Sequence, residues 1–302
     1  LFILTVLVMM FMVINKIEPV MADDVNTTAE VENIPPYPTS VELNFGTDIE
    51  LEPGITTEVL GTAIIIDENG CDELQTVIAV LFRSDIPLGV NASDDGRNHY
   101  SGSCFSQGDC VDTSETYHCE FSVQHYADAT DAGSNFSSTN WTFWIMPYDL
   151  FEGTSGIDQQ EIQTLTSLVV TTTSMDFGAI PLGGNTSGVN EQIDVENQGN
   201  EHLDIELSGY GISGGDGYSM GCTLGEVNID KLEYSISPFT YGLGIPMTSS
   251  STEIDFDLRY GSDSGGSPGK STYFGMGFPS SGIGGTCSGT VSITAVSDPD
   301  LD

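Results

Sequence analysis

Ile193, Val195, Leu203, Ile205 and Leu207 alternate with Asp194, Glu196, Asp204 and Glu206, so two runs each put apolar side chains on one face and carboxylates on the other. A period of two fits a half-buried strand and no other regular element. Asn197-Gln-Gly-Asn200 between the runs is turn chemistry, because Gly and Asn tolerate positive φ, and the pair reads as a hairpin. The β-branched run from Leu165 to Thr173 favours a strand over a helix, and the runs Thr252 to Tyr260 and Thr290 to Val296 alternate well enough to be later strands. In the first half, strands are expected at Ser40 to Phe45, Thr57 to Ile66, Thr76 to Phe82, Tyr117 to Tyr126 and Trp141 to Met146. Turns at Asp67 to Gly70 and Asp94 to Gly96 punctuate them. Apart from the apolar N-terminal stretch, no segment longer than about ten residues has a helical period. The expected fold is all-β: two tandem β-sandwich domains, residues 40–163 and 164–302, after an apolar segment (1–22) and an acidic, Pro-rich spacer (23–39). An acidic link is expected from Phe151 to Gln163.

Ser174-Met-Asp-Phe-Gly-Ala-Ile-Pro-Leu-Gly-Gly, followed by the run from Gln192 to Gly211, resembles the opening of hydin-like (ASH) immunoglobulin-like domains and similar β-sandwiches of microbial surface proteins. There a DFG-x-I/V-x-x-G strand precedes a V-x-N-x-G-N-x-x-L-x-I hairpin. The likeness covers about forty residues directly. It implies immunoglobulin-like sandwiches of a kind that bind, space or assemble and seldom catalyse.

Charge narrows the partners. Six Lys and Arg face 45 Asp and Glu, a formal charge of −39, so nucleic acid and anionic membrane surfaces are poor partners and cations, monovalent or divalent, are good ones. With 38% hydrophobic residues, the chain has enough apolar surface for real cores rather than disorder. The cysteines are Cys71, Cys104, Cys110, Cys119, Cys222 and Cys287. No Cys-x-x-Cys pair occurs and the hydrophobic start implies export, so disulfides are favoured over metal ligation. Cys222 and Cys287, in the second domain, have only each other. Three pairings are open in the first domain. Tyr117 lies two residues before Cys119, which resembles the tyrosine corner of immunoglobulin sandwiches; that resemblance favours Cys71 with Cys119, leaving Cys104 with Cys110.

The N-terminal segment admits two readings. Residues 1–14 are almost wholly apolar, and Val20-Met-Ala22 before Asp23 fits a signal-peptide cleavage site. Alternatively the segment is retained for assembly, as in type IV pilin-like cores or donor-strand fibres, which the arrangement resembles. Thr5 stands where the pilin pattern has Glu. As a helix, fourteen residues span about 21 Å against a hydrocarbon thickness of about 30 Å, so a membrane is at most a transient partner before assembly. The sequence as it stands carries the segment, and retention is the expectation. Leu1, Phe2, Leu4, Leu7, Phe11 and Ile14 are then the assembly residues, with helix slightly favoured over donated strand.

Catalytic signals are weak, and the chain is expected not to be an enzyme. Asp176-Phe-Gly178 imitates a kinase motif without a catalytic-loop signature, and Gly261-Ser-Asp-Ser-Gly265 has Asp263 where an esterase elbow needs serine. The Gly-rich stretch Ser213 to Gly217 has no following helix to make a phosphate cradle. His99, His118, His125 and His202 lack zinc-like spacing. No cofactor is required; calcium is the one candidate, at Asp67, Asn69 and Asp72 around one turn and Asp128 and Asp131 around another, against the plainer reading of solvated turn carboxylates. Sequons at Asn26, Asn91, Asn135, Asn140 and Asn185 permit glycosylation. Trp141, Trp144 and Tyr148 can form a sugar platform if exposed, though core packing suits Trp144 better. The expected function is an extracellular or cell-surface filament subunit, a helical homopolymer with itself as partner. The alternative is a secreted or tethered adhesion module for carbohydrate or protein.

Overall fold

A computed structural model of the chain describes residues 27–87, 89–108, 110–261 and 269–298. The expected assembly residues 1–14 and the sequon at Asn26 lie outside them. Residues 1–33 form one unit and 34–302 another. Among the described residues there are strands and short 3-10 turns and no α-helix, an all-β body with antiparallel sheets.

Eight strands build the first half: β1 (Tyr37–Leu43), β2 (Thr57–Ile66), β3 (Thr76–Arg83), β4 (His99–Ser101), β5 (Ser103–Ser106), β6 (Ser114–Val123), β7 (Trp141–Tyr148) and β8 (Gly156–Gln160). They form two four-stranded sheets, β1-β2-β6-β5 and β4-β3-β7-β8. Alternation along β2 and β7 sends Val59, Ala63 and Ile65 from one sheet, and Trp141, Phe143 and Ile145 from the other, into a common core. Phe121 and Phe143 meet edge-on at 5.9 Å. Gly61 lets them do so, since a Cβ there would lie 2.5 Å from the Phe143 ring. Burying each such ring contributes about 1.5–3 kcal/mol.

Three expectations for this half are corrected. β1 begins at Tyr37, inside the stretch read as spacer: Pro38 is tolerated because β1 is an edge strand with a free N–H side. Tyr126 lies beyond the end of β6, which starts earlier, at Ser114. The stretch read as an acidic link contains β8, which pairs with β7 along Trp141–Ile145. Gly-Ile-Asp-Gln-Gln hides its strand character because an edge strand with a solvated face needs little apolar alternation. Asp158 on it accepts the Leu43 N–H at 2.8 Å, and Ile162 just beyond is fully buried.

The second half contains β9 (Leu168–Val170), β10 (Glu191–Asn197), β11 (Leu203–Tyr210), β12 (Tyr218–Leu224), β13 (Glu226–Asn228), β14 (Leu232–Ser235), β15 (Ile245–Pro246), β16 (Thr252–Leu258), β17 (Gly269–Met276), β18 (Gly284–Ser288) and β19 (Thr290–Ser297). One sheet is ordered β15-β14-β17-β10-β9, a second β16-β11-β19, and a small third β13-β12-β18. The hairpin expected between the two alternating runs does not form. β10 pairs with β17 and β9, while β11 pairs with β16 and β19, so the runs belong to opposite sheets and face each other across the core. Amphipathic alternation fixes which face is buried but not which neighbour supplies the ladder. The turn carries the crossing. Asn197 is fully buried; its Nδ2 donates to the carbonyls of Glu201 and Leu258, and its Oδ1 accepts the Gly199 N–H, which steers the chain across the sandwich.

The disulfides are Cys71–Cys110, Cys104–Cys119 and Cys222–Cys287. The first two correct the favoured pairing. Register places Cys104 directly opposite Cys119 on β5 and β6, with Cα atoms 4.0 Å apart, and Cys71 falls in a 3-10 turn beside the Asp112 loop. The tyrosine-corner argument fails because the Tyr117 hydroxyl donates to the Glu115 carboxylate rather than to a backbone carbonyl. Burial, then that carboxylate, pushes the Tyr117 hydroxyl up to about 12.

Candidate functional site

A dense polar constellation lies on the seam where the two sandwiches meet. The turn that crosses the second sandwich presents Asn200, 4% exposed, toward the first. Its Nδ2 donates to the carbonyls of Ala127 and Gln163, each at 3.1 Å, and its Oδ1 accepts the Leu165 N–H at 2.6 Å. Beside it, Asp128 sits 1% exposed in the loop after β6. Arg83 at the end of β3 donates to its Oδ2, Arg97 to its Oδ1 at 2.9 Å, and the Tyr260 hydroxyl from the second sandwich donates to Oδ1 at 3.1 Å. Trp141 Nε1 donates to the Asp128 carbonyl at 2.9 Å, so one residue ties both sandwiches through side chain and backbone.

Burial shapes the electrostatics here. Desolvation lifts the Asp128 carboxyl above its ordinary value despite the nearby Arg97 and Arg83. Burial and then the Asp128 charge raise the Tyr260 hydroxyl to about 12, keeping it a donor at physiological pH. For Arg97, desolvation is outweighed by Asp128 and Tyr260, and the guanidinium is held above its usual value. The Arg83 guanidinium also lies 3.5 Å from the Phe136 ring centroid. Sequence reasoning missed this seam. The available signal was scarcity: only Arg83, Arg97 and Arg259 are arginines, and two of the three converge on one carboxylate.

A polar cleft of about 420 Å³ opens along the seam, lined by residues including Asp131, Phe136, Glu201, His202, Tyr260 and Asp298. Its carboxylates are largely engaged: Asp131 accepts from the Thr164 hydroxyl at 2.6 Å, and Glu201 from the hydroxyls of Thr166 and Ser297. The His202 and Tyr260 rings lie 5.0 Å apart on one wall.

The calcium candidates are not gathered for a cation. Asp128 is committed to two guanidiniums, which repel a metal ion. Asp67 accepts the Asn69 N–H at 2.9 Å, Asn69 accepts the Ile34 N–H at 2.7 Å, and Asp72 is exposed. Among the described residues no group of three or more His, Cys, Asp or Glu side chains is placed to hold a metal. The expected aromatic platform is also divided. Trp141 is fully buried in the core, while Trp144 and Tyr148 lie half-buried on the opposite face of β7, which corrects the core assignment of Trp144.

Asn135, Asn140 and Asn185 are exposed on loops, and Asn91 is exposed at the end of a short 3-10 turn. Gly178, at φ 66°, donates its N–H to Asp176, so the kinase-like triplet is an Asx turn. The Gly-rich stretch is occupied by its own side chain. The Asp216 carboxylate accepts the N–H groups of Ser213, Ile212, Tyr218 and Gly211, which together hold its pKa down to about 2. The backbone donors that a phosphate cradle needs are thereby consumed. The esterase-like stretch around Asp263 lies outside the described residues. No described helix is long and apolar enough to cross a membrane.

A second cleft, apolar and about 520 Å³, lies on the second sandwich between β9 and β19.

No protein-family model matches the chain, and no curated protein is similar to it in sequence. Among solved structures it is similar to one described as a chaperone–tip adhesin complex vital for synergistic activation of CFA/I fimbriae biogenesis, at 12% identity over 84% of this chain and 79% of that one. The TM-score of that superposition is 0.28, a level at which the likeness carries no argument about what this chain does.

Proposed function

We propose that the chain is a structural subunit of an extracellular, pilus-like homopolymeric filament, assembled through its apolar N-terminal segment. One observation carries this reading: residues 1–15 contain no charged side chain, in a chain of formal charge −39. Each Leu, Ile, Val, Phe or Met removed from water there contributes roughly 1.5–3 kcal/mol, well above the usual cost of ordering a short segment. Three disulfides suit an oxidising exterior, and the seam locked by Asn200 and Asp128 suits a stiff repeating unit. Subunits of such charge pack side by side only with screening cations, so monovalent and divalent ions are its expected partners. Leu7→Asp and Phe11→Asp should abolish polymerisation and leave the circular dichroism of the β-body unchanged. Normal fibres from both variants, or mature protein beginning at Asp23, would make the segment an export signal only.

The polar cleft with Phe136, His202 and Tyr260 on its walls supports a second reading, a surface module that binds carbohydrate or protein. Glycan-array binding by the full chain, with no fibres formed, would favour it.

A further inference from the structure

The second sandwich is finished on one side and open on the other. Edge strand β19 pairs with β11 alone among the described residues, and β9, on the facing sheet, is three residues long and pairs only with the end of β10. The apolar cleft lies between them, lined by Val170, Met175, Phe177, Met220, Val291 and Ile293 among others. On β11, Ile205 and Leu207 are 0% and 1% exposed, yet their partners across the ladder, Ala295 and Ile293 on β19, are only half-buried. The core is complete at β11 and incomplete at β19.

Free strand edges are ordinarily guarded by lysine, proline or inward charge. β19 reads Thr-Val-Ser-Ile-Thr-Ala-Val-Ser and has none of these, and neither does the opposite rim, residues 164–175. In a chain with 17% charged residues, a rim of that length would ordinarily carry about two charges. An uncharged edge beside an apolar cleft offers an incoming strand backbone hydrogen bonds and pockets for alternate side chains. Residues 1–14 match it. They carry no charge, and as an extended strand both of their faces are apolar except at Thr5. The eight-residue edge needs about 27 Å of partner, and fourteen extended residues supply about 47 Å.

We propose that residues 1–14 of a second copy of this chain add as a strand to the free edge of β19, with alternate side chains seated in the cleft between β9 and β19. The proposal rests on the filament reading above and says where in the neighbour the segment is buried.

The test places a photo-crosslinking benzoylphenylalanine at Phe11 in the full chain, mixes isotopically light and heavy protein, irradiates, and maps the crosslinked peptides by mass spectrometry. Crosslinks joining light to heavy chains within residues 168–177 or 288–296 are expected. Filaments whose crosslinks fall elsewhere on the second chain would overturn the β19 assignment and leave the filament reading standing. Crosslinks confined to one chain would overturn the second copy as occupant. Absence of filaments would remove the filament reading and this inference with it. As a second arm, Ile293→Glu should lower polymer yield roughly tenfold or more, the equivalent of about 1.4 kcal/mol or more per contact, with Cys222–Cys287 still formed. Unchanged yield would count against the site.

Discussion

Asn200→Ala is the sharpest perturbation of the seam. The side chain is 4% exposed and satisfies the carbonyls of Ala127 and Gln163 and the N–H of Leu165. Truncation leaves three backbone groups without that partner. A buried unpaired polar group costs about 1–3 kcal/mol. Asn200 also lines the polar cleft, so water can reach part of the set, and the low end applies: about 3 kcal/mol in total. At roughly 2–4 °C per kcal/mol for a body of this size, the main transition should fall by about 6–12 °C. Asn200→Asp should be no better, because it keeps the acceptor for Leu165 but turns a carboxylate toward two carbonyls. Differential scanning calorimetry reads both variants, and weakening of the seam should split the transition as the sandwiches uncouple. A shift below about 1 °C with one unsplit transition would show that Asn200 does not join the halves.

Asp128→Asn removes the negative charge shared by Arg83 and Arg97 and turns one of its two acceptor oxygens into a donor; with Arg83 buried and Arg97 partly exposed, chemical denaturation should show a loss of about 3 kcal/mol, and no loss would mean the pairs are replaceable by solvent. The Asp216 carboxyl should titrate near 2 by NMR instead of at its ordinary 3.8. Because its folded value is depressed, its stabilisation is complete above about pH 4 and is lost as pH falls toward 2; Asp216→Asn should remove that part of the acid limb, and an ordinary titration would contradict the four N–H contacts. Replacing Cys222 and Cys287 by Ala opens a 65-residue loop and should cost about 4 kcal/mol on the chain-entropy model, read as faster hydrogen exchange in β12 and β18 with the first sandwich unaffected.

Much of the fold was legible because its core strands alternate. β2 and β7 begin where the sequence places them, since each buries one face of a central strand. β8 was poorly legible because it is polar and pattern gives an edge strand little to show, whereas β9 falls inside the run from Leu165 to Thr173 that reads as a strand, with only three of those residues in the ladder. The missing hairpin teaches something different. Asn197-Gln-Gly-Asn200 was correctly a turn, but whether a turn folds a chain back or carries it across depends on where Asn197 finds its partners, Glu201 and Leu258. Leu258 is 61 residues away, beyond any local pattern. The same holds at the seam. Asp128 looked like a turn carboxylate because its partners, Arg83, Arg97 and Tyr260, are scattered along the chain and converge only after both sandwiches form. Cysteine count gave the number of bridges, and only the register of β5 on β6 gave the pairing.

Assembly through the N-terminal segment is tested most directly by negative-stain microscopy of native material. Continuous fibres built of subunits that retain residues 1–14 are the predicted result. Monodisperse particles whose chains begin at Asp23 would contradict it.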